Sequence, residues 1–237
     1  AQPAATEPAQ PPQAPTPQVV EESPAAPPGP PLPVVVLDAG HGGTENGGHS
    51  REGLWEKDVV AQYVARVRAA LLATNKYRVV LTRVGDVNVS ADQRAIAANL
   101  SGAIYFLSFH AGDLGTASPR IAVFTFQPAA TAPPDPGDAP PPAFLPWDHV
   151  QEARLNLSQR LAAALQQQFA LINGVEVDLP SSAPLRTLRS LNAPAVAIEL
   201  GRLAPDADAT PLINPAFQQQ VATAVAQALA NLEKGGA

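Results

Sequence analysis

Three hydrocarbon runs that each end on or near an ionisable side chain constrain this 237-residue chain more than any other feature. They are VVVLDAGH at 34–41, AIYFLSFH at 103–110 and PAVAIELG at 194–201. A bare apolar run bounded by glycine or turn formers reads as a strand buried on both faces, the pattern of a parallel sheet held between helical layers. Such sheets place their ligand sites just past the carboxyl ends of the strands. His41 and His110 arrive at that end, and Glu199 stands inside the third run close to it.

The intervening segments fit the same architecture. Residues 44–55 are rich in turn formers and read as a loop. From Glu56 to Asn75 the apolar residues Val60, Tyr63, Val67 and Leu71 recur at helical spacing, and four residues back from Val60 the same stripe reaches Glu56. A carboxylate in a first turn suits the helix dipole, but this one faces the sheet. RVVLT (78–82) and IAVFTFQ (121–127) read as further strands, and Ser90 and Gln93 have the spacing of a capping box. A helix is expected at about 149–171 on the stripe Leu157, Leu161, Leu165 and Phe169, and another near the end on Phe217, Val221, Val225, Ala228 and Leu232. Between them, 172–194 offers only a short strand near Val175–Val177 and loops around Pro180 and Pro184. Strands alternating with helices predict an α/β fold, a mostly parallel sheet with helices on both faces.

Proline marks what lies outside that fold: of 27 prolines, twelve fall in residues 1–33 and eight in 128–148. Residues 1–33 lack aromatics and apolar periodicity and read as an extended linker, leaving 34–237 as one folded domain with 128–148 as an inserted loop. Eight prolines exclude a helix in that insert; its Phe144, Leu145 and Trp147 suit a lid over a groove or a platform for sugar. No run of eighteen apolar residues is present, so no transmembrane segment is expected. Cysteine is absent, which leaves His, Asp and Glu as the strong metal ligands. A net charge of -6 with unclustered basic residues argues against nucleic acid or an anionic membrane as partner.

His41, His110, Glu199 and Glu56 therefore gather at one edge of the sheet. Two histidines and a carboxylate are the protein ligands of many catalytic zinc sites, and a second, unligated carboxylate can serve as general base and then as proton donor. Glu199 is the candidate for the second role. Competing motifs fail: Glu45 stands where a dinucleotide-binding turn needs glycine, no Gly-Lys-Ser/Thr ending is present, no H-E-x-x-H occurs, and Ser108 lacks a G-x-S-x-G elbow.

DAGHGGTENGG, EK at 56–57, LTR with Asp86, RAIAAN at 94–99, SFH at 108–110 and PAVAIELG, in that order, resemble the zinc-dependent N-acetylmuramoyl-L-alanine amidases of the amidase_3 type. The resemblance runs from 34 to about 232. It implies a single domain with a twisted, mostly parallel six-stranded sheet, and one zinc ion held by His41, Glu56 and His110. Glu199 would be the catalytic residue in hydrolysis of the amide between N-acetylmuramic acid and L-alanine of peptidoglycan. It implies a peptidoglycan or muropeptide substrate and an activator or divisome protein as partner; an exported, monomeric protein of the periplasm or cell envelope is expected, with any signal peptide already removed from a chain that starts without methionine. The sequence departs from the family pattern at Gly112, where asparagine is usual, at Arg120 in place of glycine, and at Arg202 in place of an aromatic residue. Two rival readings keep the fold: a wall-binding pseudoenzyme, and a zinc amidohydrolase acting on another amide. Asp38 is expected to hold the first turn, and Arg83, Asp86 and Arg94 to form a structural network. Trp55 suits a hydrophobic staple or a groove wall, and His49 and His149 read as solvated loop residues.

Overall fold

The computed structural model describes residues 30–112, 120–128 and 147–235. The linker reading of 1–29 and the lid reading of Phe144 and Leu145 lie outside the described residues, as does the side chain of Trp147.

The first apolar run forms strand β1 (Val34–Ala39), and every residue in it is buried. It leads through a glycine-rich loop to helix α1 (Glu56–Ala73), then to β2 (Arg78–Leu81), α2 (Ala91–Leu100), β3 (Ala103–His110) and β4 (Arg120–Phe126). A 3₁₀ helix (Trp147–Arg154) precedes α3 (Leu155–Phe169); short elements β5 (Glu176–Val177), β6 (Ser181–Ala183) and α4 (Arg186–Arg189) follow. The chain then runs through β7 (Ala195–Glu199), α5 (Thr210–Ile213) and α6 (Pro215–Gly235). α2 opens with the expected capping box: Ser90 accepts from the Gln93 amide, and the Gln93 side chain accepts from the Ser90 amide.

The strands line up as β2-β1-β3-β7-β4-β5, with β6 beside β4. β1 pairs in parallel with β2 and β3, and β3 in parallel with β7, whereas β4 runs antiparallel to β7. The sheet is thus mostly parallel, as expected, and the short β5 and β6 bring its strands among the described residues to seven.

Alternation along the central strands feeds two cores. Leu37, Leu107, Phe109, Val196 and Ile198 face α1, α3 and α6. Val36, Phe106, Ala195 and Ala197 face α2 and α4 through Ala95, Ala98 and Leu188. Each fully buried Leu or Phe contributes about 1.5–3 kcal/mol, so both faces of the central strands are pinned and their register is fixed. The register sets the site: Ala39 lies opposite Phe109, and His110 opposite Glu199.

Two sequence expectations need correction. Leu157 is 43% exposed; Ser158 takes the inward position, its hydroxyl accepting from the Ala195 amide at 3.0 Å and donating to the buried Gln151. Both residues lie within α3, where a strict spacing of four drifts about 40° per step from the 3.6-residue period and carries Leu157 off the buried face. His149 lies in the 3₁₀ stretch before α3, 2.6 Å from Glu152, rather than in a loop.

Candidate metal centre

β1, β3 and β7 are neighbours, so their carboxyl ends deliver His41, His110 and Glu199 to one place. α1 begins at Glu56, which is 3% exposed and turned inward as the apolar stripe predicts. His41 Nε2 and His110 Nδ1 both meet the same Glu56 oxygen, Oε1, at 3.0 and 3.2 Å. One ligand atom from each of the three residues lies within 4.8 Å of the others. The imidazoles stand edge to face, their ring centroids 5.1 Å apart.

The loop between β1 and α1 is shaped around this cluster. His41 adopts a left-handed backbone, φ 59°, a conformation a non-glycine residue holds only when its surroundings enforce it. Three contacts do so. Gly42 and Glu45 exchange backbone hydrogen bonds of 2.8 and 3.1 Å, Arg94 Nη2 donates to the His41 carbonyl at 2.8 Å, and Glu45 Oε1 lies 3.2 Å from His41 Nδ1. A carboxylate beside the outer ring nitrogen orients the imidazole with Nε2 turned inward. Glycine is required at Gly40, where a Cβ would stand 2.4 Å from His110 Cε1, and at Gly47, where it would meet Glu56 Oε2 at 2.6 Å.

Backbone amides hold both carboxylates. The amides of Gly48 and Ala111 donate to Glu56 at 2.8 and 2.9 Å, and the next amide, Gly112, donates to Glu199 Oε2 at 2.9 Å. Burial opposes ionisation of Glu56, but the hydrogen bonds from His110, His41 and these amides outweigh it and hold the carboxyl far below its ordinary range. It is ionised at neutral pH. Burial also opposes charge on His110, yet its bond to Glu56 and the nearby carboxylates, Glu199 first, keep it above its ordinary value. For Glu199 burial dominates and raises the carboxyl, against His110 and the Gly112 amide, which lower it.

The donor set fits a divalent ion of the zinc type: two imidazoles and one ionised carboxylate whose ligand atoms converge, with no thiolate in the chain. Glu199 is not a member of that ligand group, and its carboxyl, raised by burial, suits a group that takes up and returns a proton.

Around the cluster, Asp38 is fully buried and ion-paired with Arg94, and it accepts from Thr82 at 2.5 Å and Ser108 at 2.6 Å. Arg83 donates to the carbonyls of Ala39, Gly40 and Lys57, and Asp86 joins Lys57 Nζ at 2.8 Å and the Gly43 amide. These residues form the expected structural network. Arg120 clamps Asp178 through Nε at 2.7 Å, tying β4 to the residue after β5, and Arg202 pairs with Asp206 at 2.8 Å. Trp55 precedes Glu56 and rests against the exposed His49, ring centroids 5.2 Å apart. Sequence reasoning missed Glu45 as a partner of His41 and the paired amides of Ala111 and Gly112. Glu45 carried a weak signal, an acid four residues past a candidate ligand, whereas the amides carried none.

The profile described as "N-acetylmuramoyl-L-alanine amidase", Amidase_3, matches residues 35–231. The chain is 24% identical over 211 residues to the N-acetylmuramoyl-L-alanine amidase AmiC of Escherichia coli, covering 81% of this chain and 51% of that protein. It is 44% identical over 79 residues to the amidase CwlM of Bacillus licheniformis, covering 32% of this chain and 30% of that protein. The chain thus spans about half the length of the first relative and less than a third of the second. In three dimensions it resembles an N-acetylmuramoyl-L-alanine amidase from Clostridium difficile, with a TM-score of 0.67 at 23% identity over 87% of this chain and 99% of that one.

Proposed function

The chain belongs to the Amidase_3 family of N-acetylmuramoyl-L-alanine amidases, and from that premise we propose that it hydrolyses the amide joining N-acetylmuramic acid to L-alanine in bacterial peptidoglycan. In this reading His41, Glu56 and His110 hold one zinc ion and Glu199 carries the proton. The observation that carries it is the convergence of three ligand atoms within 4.8 Å beside a buried carboxylate that is not among them.

Bound there, zinc would supply a Lewis acid and lower the pKa of a coordinated water to about 7. The protein's own part follows from its residues. Glu56, its carboxyl held far below its ordinary range and bonded by the Gly48 and Ala111 amides, offers a charged donor without first releasing a proton. Glu45 on His41 Nδ1 and the collar of glycines fix the ring orientations. The Gly112 amide orients Glu199, which takes a proton from the attacking water and returns it to the departing alanine nitrogen. No covalent enzyme intermediate is needed.

Peptidoglycan as substrate places the protein in the periplasm or cell envelope, with residues 1–33 as a spacer. Among the described residues no helix is long and apolar enough to cross a membrane. The test uses purified sacculi with added zinc or with chelator, and product masses by mass spectrometry. Stem peptides beginning with alanine, released with zinc and lost with chelator, support the proposal. Intact stems still on muramic acid would leave a wall-binding protein, and cleavage confined to other amides would move the activity elsewhere.

A further inference from the structure

A groove of about 330 Å³ lies between the end of α3 with the residues after it and the outer face of α6. It opens at the end of the sheet that carries the metal cluster. Asn173 on its rim lies three residues before Glu176, which pairs with Arg120 of β4, and two residues further along β4, Ala122 is opposite Glu199.

The lining has an unusual chemistry: no charged side chain contributes to it. Gln168, Asn173, Gln219 and Gln220 present side-chain amides that have no hydrogen-bond partner among the described residues, while Gln227 is engaged with Asn231. Leu171, 73% exposed, adds an aliphatic surface, and Ile172 and Ala224 form a buried floor. Each free amide offers two donors and an acceptor. An apolar protein partner would strip water from these groups without replacing it, which costs about 1–3 kcal/mol for each group left unpaired. An ionised peptide or an anionic polymer would find no counter-charge. Hydroxyls and acetamido groups satisfy the amides in both directions, and Leu171 can meet the C–H face of a sugar ring.

We propose that this groove is a secondary site for the N-acetylated glycan strand of peptidoglycan, neutral where its lactyl carboxyls are closed as stem amides, holding the polymer while the metal cleft acts on the stem-bearing sugar. The choice of polymer rests on the amidase reading, whereas the preference for uncharged N-acetylated sugar rests on the groove alone.

The test is co-sedimentation of the protein with chitin particles, a neutral N-acetylglucosamine polymer with no lactyl amide for it to cleave, and titration with soluble N-acetylglucosamine oligomers followed by NMR. The native protein should be retained, and the oligomers should shift signals of the groove amides. Gln168→Glu with Gln220→Glu, near-isosteric changes on the groove lining, should weaken retention about ten-fold, the equivalent of one or two neutral hydrogen bonds. If circular dichroism shows that pair misfolded, Thr223→Arg, at an exposed position of α6, fills the groove instead. No retention of the native protein, or equal retention of folded variants, overturns the proposal. Failure of the amidase reading shows separately, as sacculi yielding no alanine-headed peptide, because retention on chitin is measured without turnover.

Discussion

Arg94, on α2, donates from Nη2 to the carbonyl oxygen of His41 at 2.8 Å, and so ties the left-handed residue of the glycine loop to a buried helix face. Its Nη1 pairs with Asp38, deep in β1, and also reaches the Ala39 carbonyl at 2.8 Å. Arg94→Met would leave the Asp38 charge buried with two hydroxyls but no cation bonded to it. Breaking a buried pair by removing one partner costs about 3–5 kcal/mol, which in a domain of this size lowers Tm by roughly 6–20 °C. The variant should also retain less zinc, because nothing else on α2 holds the His41 turn. Calorimetry and metal analysis measure both; a variant melting within 2 °C of the native protein contradicts the role given to Arg94.

Acid should expose the same pair. Burial alone would raise the Asp38 carboxyl, but Arg94, Ser108 and Thr82 hold it below its ordinary value of 3.8. A carboxyl depressed in the folded state adds stability above the unfolded value, and that stability drains away as pH falls through the folded one. Native protein should therefore exceed Asp38→Asn in urea midpoint at pH 7 and at pH 5, and the gap should close steadily below about pH 3.8. A gap independent of pH would assign the effect to shape rather than charge.

Glu199→Gln separates proton transfer from metal holding. Glutamine keeps an oxygen for the Gly112 amide, and the substituted residue is not among the three convergent ligands. Zinc content should match the native protein while turnover falls about 10²–10⁴-fold. Because burial disfavours the ionised carboxyl, the variant should melt at the same temperature or higher. Loss of zinc would show that Glu199 belongs to the ligand set.

The central sheet and its four polar groups were legible because strands buried on both faces must be almost wholly apolar, so a histidine or glutamate at their ends stands out. Glu56 was legible for a different reason, its phase on the α1 stripe. The direction of β4 was not, since an apolar run encodes burial and not the sense of pairing. β6 is three residues without a large apolar side chain, SSA, and gave no signal. In α3 the inward Ser158 misled the stripe, because a hydroxyl satisfied by Ala195 and Gln151 packs where leucine was expected. The amides of Ala111 and Gly112 hold two carboxylates with groups that every residue except proline possesses, so no residue type announces them.

Two glycines near the cluster should respond oppositely to alanine. At Gly40 an added Cβ would lie 2.4, 2.7 and 2.8 Å from three atoms of the His110 ring, and neither the β1 backbone nor a ring held by Glu56 can yield that much. Gly40→Ala should displace His110, lower zinc retention and cut turnover about 100-fold, the scale expected when a catalytic group moves by an ångström. At Gly112 the backbone is not left-handed, and the added Cβ would sit 3.5 Å from Glu199 Oε2, an ordinary contact. The hydrogen bond to Glu199 comes from the Gly112 backbone, which alanine keeps. Gly112→Ala should therefore retain zinc fully and stay within about three-fold of native turnover, since a surface contact of this kind is worth no more than about 0.5 kcal/mol. Metal analysis and rates on sacculi, measured side by side, decide it; a Gly112→Ala protein as crippled as Gly40→Ala would mean that Glu199 needs the open space beside it as well as the amide.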